Sequence, residues 1–206
     1  MRRVFISYHH RNEGYLKEEL LRINEQNNIF IDCSVNTGDI DENLDPQVIR
    51  QSIRRNYLSG STVVLLLVGR ETKYRKHVDW EVYSSMYNGK NFGRSGVVVL
   101  HAPECESNFV TSPFAEIKET MYPNISSWTS ISSREEYERR YPHLPSRIID
   151  NLLKANSKVS VSNWSAVVEN PERLRLLIDC AHNARENCEY DMSRPMRMRD
   201  HNPSLS

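Results

Sequence analysis

Ser61-Thr62-Val63-Val64-Leu65-Leu66-Leu67-Val68 is a near-continuous apolar run that stops at Gly69. It reads as a central strand buried on both faces, the signature of a parallel sheet covered by helices on either side. On its N-terminal flank, Asp45 and Pro46 form a helix start, aspartate as cap and proline in the first helical position. Ile49, Ile53 and Tyr57 follow on one stripe. Further back lie a short strand at Asn28–Asp32, a helix at Asn12–Asn24 with Leu16, Leu20 and Ile23 on one face, and a strand at Arg3–Tyr8. Cys33–Leu44 shows no period and reads as a loop. On the C-terminal flank, Arg75–Asn88 reads as a helix with Val78, Val82 and Met86 inward, and Ser95–His101 as another strand.

The order is therefore β-α-β-α-β-α-β. Right-handed crossovers between parallel strands put helices on both sheet faces. The expected fold class is α/β: a flavodoxin-like three-layer sandwich with a mainly parallel sheet of order 2-1-3-4 and a fifth strand near Ser127–Ser130. Beyond Ala102 the pattern loosens. Pro145–Ala155 and Pro171–Glu186 read as helices, the latter with Asn170 as cap and Leu174, Leu177, Ile178 and Ala181 on one stripe. The expected organisation is a domain over 1–130, a helical C-terminal extension over 131–192 packed on it, and a flexible tail over 193–206.

Composition narrows the function classes. Among 206 residues, Lys+Arg and Asp+Glu are equal at 27 each, so no global field favours nucleic acid or an anionic membrane. No nucleic-acid or membrane partner is expected. The start holds a three-residue apolar run, Val4–Ile6, against about 7–15 in a secretory signal. Cys33, Cys105, Cys180 and Cys188 show no CxxC spacing and read as reduced thiols of a cytoplasmic protein. His101 with Cys105 and the pair His9-His10 supply no set of three or four convergent ligands, so no metal is expected.

Ligands of an open parallel sheet sit beyond the carboxyl ends of its strands, where strand order reverses. Here that crevice lies between strand one, ending Ser7-Tyr8-His9-His10, and strand three, whose loop leads to the helix with His77 and Glu81. Asp32 and the loop after it form one wall. No G-x-G-x-x-G follows strand one and no G-x-x-x-x-G-K-[ST] occurs, which excludes a dinucleotide Rossmann fold and a P-loop NTPase. Gly69-Arg70 stands where a phosphoacceptor receiver would need an aspartate.

Helical spacing places His77 and Glu81 one turn apart on one face, with small Ser84 and Ser85 leaving room beyond. A lone carboxylate on an amphipathic helix is ordinarily a solvated surface group. Three segments add to that reading: Arg3-Val4-Phe5-Ile6-Ser7-Tyr8, the strand Val63–Gly69, and His77-Val78-Asp79-Trp80-Glu81-Val82. Together, over about Arg3–His101, they resemble a TIR-like domain, of the branch related to the TIR protein of the Thoeris anti-phage system. Phe-Ile-Ser-Tyr resembles the first-strand box, and the segment around Glu81 resembles the family's aromatic-Val-x-x-Glu pattern with its catalytic glutamate. The family usually has Trp before that valine; this chain has His77.

The resemblance implies an NAD+ nucleosidase or cyclase with Glu81 as the catalytic carboxylate and NAD+ as substrate rather than cofactor. Nicotinamide leaves as a cation's neutral product and needs no general acid; one fixed carboxylate stabilises the oxocarbenium-like ribose. Capture by water gives ADP-ribose, and capture within the molecule gives a cyclic isomer that signals to an effector. Expected substrate-binding residues are Phe5, Ser7, Tyr8, Asp32, Ser34 and His77. Ser7 offers a hydroxyl and Tyr8 a ring for stacking; packing is the favoured role of the deeper Phe5. The implied partners are further copies of the chain through TIR–TIR contacts, a downstream effector and a phage-derived trigger. The alternative is a non-catalytic TIR-like interaction module.

Overall fold

The structure, a computed structural model, describes residues 1–34, 44–89 and 93–200. Strands β1 (Arg2–Ser7), β2 (Phe30–Asp32), β3 (Val63–Val68), β4 (Gly96–His101) and β5 (Val159–Asn163) form one sheet of order β2-β1-β3-β4-β5. Every neighbouring pair is parallel. The helices are α1 (His10–Asn27), α2 (Pro46–Asn56), α3 (Lys76–Met86), α4 (Ala115–Met121), α5 (Arg134–Arg140), α6 (Ser146–Leu153), α7 (Trp164–Val168) and α8 (Pro171–Ala184). The result is the flavodoxin-like α/β sandwich expected from the strand–helix alternation.

All six side chains of β3 are fully buried, each contributing about 1.5–3 kcal/mol relative to exposure. Val63, Leu65 and Leu67 face α1 and α8, meeting Leu16, Leu20, Leu174 and Ile178. Leu66 and Val68 face α3 and α6, meeting Val78, Val82 and Ile148. Val64 joins Phe5, Ile49, Ile53 and Trp80 in a smaller cluster between β1, α2 and α3. The α2 start is capped as its sequence implies, the Asp45 carboxylate accepting from Gln47 N at 2.8 Å. α1 runs three residues past the expected end at Asn24, to where Asn28 takes the left-handed conformation (φ 51°) that ends it, and Asn24 Oδ1 accepts from Ile29 N and Phe30 N.

Two expectations need correction. Residues 127–130 form no strand, and the fifth strand is Val159–Asn163 instead. Its serines conceal it: Val159 and Val161 enter the core, while buried Ser160 and Ser162 pair with Ser112 Oγ and Tyr122 Oη. Residues 131–192 are thus not a purely helical annex, since they supply β5 and α8 to the central sheet and its core. α8 lies so close on β4 that a Cβ at Gly96 would stand 2.2 Å from the Ala181 carbonyl oxygen.

The second correction concerns the tail. Residues 194–200 are docked across α3. Trp80 Nε1 donates to Arg197 O at 2.5 Å, Arg197 N donates to Asp79 Oδ2 at 2.8 Å, and Met196 is buried against the Trp80 cluster. Residues 201–206 of the expected tail, and residues 35–43 of the expected loop after β2, lie outside the described residues. Among the described residues no helix is long and apolar enough to cross a membrane.

Candidate active site

β1 ends at Ser7, which lies opposite Leu66 of β3 and points to the same side of the sheet as Phe5. α3 crosses that side. Val78, Val82 and Met86 anchor one of its flanks in the core and Trp80 another, fully buried. A helix held on two flanks presents its remaining face without freedom to rotate, and that face carries Glu81.

The Glu81 carboxylate is 5% exposed, and Ser7 Oγ donates to its Oε2 at 2.6 Å. Burial pushes its pKa up to about 7, and the Ser7 hydrogen bond pulls the other way. Oε1 accepts no hydrogen bond among the described residues. The side chain is therefore neither a solvated surface group nor fully committed to the core: one oxygen is fixed by β1 and the other has no partner among the described residues.

Tyr8 stands half-buried at the mouth, its ring stacked on His10 at 4.4 Å between centroids and covered by Lys17 Nζ at 5.5 Å. Burial first, then the negative charges of Glu81, Asp32 and Glu18, raise its phenol pKa. Those neighbours place Tyr8 between Glu81 and the end of β2. Asp32 is exposed there and its Oδ1 accepts from Ser34 N at 2.8 Å. Ser34 Oγ accepts from Ile6 N at 3.0 Å, which ties the chain after β2 to β1. His77 is exposed with its ring edge-on to Trp80, 5.0 Å between centroids. Burial first, then the charges of Lys17 and His77, lower the pKa of the His10 imidazole.

Of the residues singled out from sequence, Glu81 and Ser7 are in contact, and Tyr8 lies within electrostatic reach of Glu81 and Asp32. Phe5 is 2% exposed inside the Ile49–Trp80 cluster and packs, as its depth on the strand suggests. Ser34 spends its acceptor on the β1 backbone.

Two buried groups stand outside the set of site residues expected from sequence. Glu13, in the first turn of α1, is fully buried; its Oε2 accepts from His9 N at 2.7 Å and its Oε1 has no partner. Burial pushes its pKa up to about 7, and the hydrogen bond from the His9 backbone pulls the other way. It abuts Gly69, where a Cβ would fall 2.2 Å from Glu13 Oε1. The glycine that ends β3 is the one sequence sign of this contact. His101, at the end of β4, is 1% exposed with neither ring nitrogen partnered, and burial and His143 push it down to about 4. It is neutral at pH 7.

Among the described residues no three His, Cys, Asp or Glu side chains converge as metal ligands, and the four cysteines are free thiols. Residues 5–106 match the family model described as Thoeris protein ThsB, TIR-like domain. The matched span runs from β1 past β4, so it contains Ser7, Tyr8, His77 and Glu81 and stops before β5 and α8. No curated protein matches the chain.

Proposed function

With residues 5–106 belonging to the TIR-like domain family of Thoeris protein ThsB, we propose that this chain is a defence enzyme that cleaves NAD+ between nicotinamide and ribose, with Glu81 as its catalytic carboxylate. The observation that carries the proposal is the Ser7–Glu81 contact at the carboxyl end of the sheet. A nearly buried carboxylate, held on a rigid helix and pinned through one oxygen, is what an oxocarbenium-like ribose requires beside it. Charge there acts with little water to screen it.

The raised pKa of Glu81 fits this role. An empty site holds the acid partly protonated near pH 7. The nicotinamide ring of NAD+ is a cation, and an opposite charge within a few ångströms draws a carboxyl back to its ionised form. Substrate thus generates the charge that catalyses its own cleavage. Tyr8 flanks the sugar or a ring, and Ser7 keeps the carboxylate aimed. His77, exposed one helical turn before Glu81, meets the outer part of the ligand. The released ADP-ribosyl group is captured by water or internally, the latter giving a cyclic signal for an effector. Self-association of TIR-like domains and a phage-derived trigger complete the proposed circuit.

The test is nicotinamide release from NAD+ by the full chain, alone and in phage-infected cells that express it. Wild type is expected to release nicotinamide and Glu81→Gln to lose it by at least a hundredfold, the order associated with removing one preorganised electrostatic group. Equal release by both variants would remove Glu81 from its role. Absence of release under infection, with protection intact, would instead support a non-catalytic interaction module.

A further inference from the structure

A cavity of about 250 Å³ lies on the flank of α3 that faces away from Glu81. Its floor is α3 and α6, and its roof is the docked segment Arg194–Arg197. The donors and acceptors around it are unbalanced. Asp79 is the sole acid in the lining, and both of its oxygens are occupied. Arg147 Nε donates to Oδ1 at 2.9 Å, while Arg147 Nη2 and Arg197 N donate to Oδ2 at 3.0 and 2.8 Å.

The cations are not so occupied. The Arg197 guanidinium makes no ion pair or hydrogen bond among the described residues; only its backbone is engaged. Lys73 donates one hydrogen bond, to Pro142 O at 2.6 Å, of the three it can make. Arg75 pairs with Glu71 through Nη2, yet its Nε is buried without a partner. Arg147, 1% exposed, fixes the floor with a permanent positive charge. Arg194 also lines the roof, its charge met by Asp150 at 2.5 Å.

We propose that this cavity binds a compact phosphoryl anion, held between Arg197 of the C-terminal segment and Lys73 and Arg75 beside the start of α3. Planar guanidinium groups match phosphate oxygens two at a time, and a saturated acid offers nothing to a cation. The volume lies just under the range of about 300–1,000 Å³ usual for drug-sized ligands, so it suits a phosphate or pyrophosphate group rather than a whole dinucleotide. The site is distinct from the Glu81 crevice. A ligand there ties the C-terminal segment to the helix that carries Glu81. The anion's source is either a free inorganic phosphate species or the terminal phosphate of a nucleotide.

Isothermal titration of the full chain with inorganic pyrophosphate, adenosine monophosphate and adenosine tests this. Pyrophosphate is expected to bind saturably with one site per chain and to weaken as salt is added. Adenosine is expected not to bind there. Adenosine monophosphate binding as well as pyrophosphate assigns the nucleotide source; its failure assigns the free anion. Arg197→Ala leaves the backbone contacts of the segment in place and should weaken pyrophosphate by about tenfold or more, as loss of a charge-assisted hydrogen bond does. Lys73→Ala is the second, independent variant and should weaken it as well. Glu81→Gln should bind pyrophosphate like wild type, even if NAD+ cleavage proves not to depend on Glu81. No saturable pyrophosphate binding, unchanged binding in both cation variants, or binding lost only in Glu81→Gln would overturn the proposal.

Discussion

Replacing Glu81 by glutamine removes the site's charge, and it should also make the protein harder to unfold, at alkaline pH in particular. In the unfolded chain this carboxyl ionises near 4.5; in the folded chain burial carries it up to about 7. Below 4.5 both states hold the proton and the site costs nothing. Between 4.5 and 7 the folded state binds more protons than the unfolded one, so stability falls as pH rises. Above 7 the penalty is complete. At about 1.4 kcal/mol for each tenfold change in ionisation constant, it amounts to about 3 kcal/mol. Glutamine keeps the shape and can still accept from Ser7 Oγ, but carries no charge to bury. The gain for Glu81→Gln should therefore be about 3 kcal/mol at pH 8 and under about 1 kcal/mol at pH 5. For a chain of this size it should appear as a rise in Tm of roughly 6–12 °C at pH 8. Glu13, also buried and also raised to about 7, is present in both proteins and cancels from the comparison. Thermal unfolding followed by circular dichroism at the two pH values decides the matter. A variant no more stable than wild type at pH 8, or equally stabilised at pH 5 and 8, would refute the account of Glu81 as an ionisable group buried against its preference. A costly group of this kind is expected where activity, rather than stability, dictates the residue.

Two further perturbations separate aim from scaffold. Ser7→Ala deletes the hydrogen bond that holds the Glu81 pKa down, so the acid limb of kcat/KM for NAD+ should move to higher pH, and an unmoved limb would disconnect Ser7 from the carboxylate. Arg147→Ala should destabilise the fold by about 3–5 kcal/mol in a denaturant titration, because it leaves Asp79, whose side chain is 11% exposed, without its partner and frees the carbonyls of Arg194 and Pro195; a loss under about 1 kcal/mol would show that the C-terminal segment is held by other contacts.

What the chain announced in sequence is what local pattern encodes. β1, β3, β4 and α3 follow from runs and stripes of apolar residues whose burial depends on near neighbours and on the two periods of strand and helix. Strand alternation, with the rule that ligands meet parallel sheets at their carboxyl ends, was enough to bring Ser7 and Glu81 to one crevice. Tertiary structure decided the rest. β5 was hidden because Ser160 and Ser162 are buried with hydroxyl partners 48 and 40 residues away, at Ser112 and Tyr122. The C-terminal segment looked loose because its arginines and prolines carry no periodic signal; its anchors, Asp79 and Trp80, lie 118 and 117 residues earlier. Glu13 could not be told from any first-turn glutamate until Gly69 closed over it. The ionisation of Glu81 belongs to this second class, since sequence supplies a carboxyl and only the exclusion of water around it sets where that carboxyl gives up its proton.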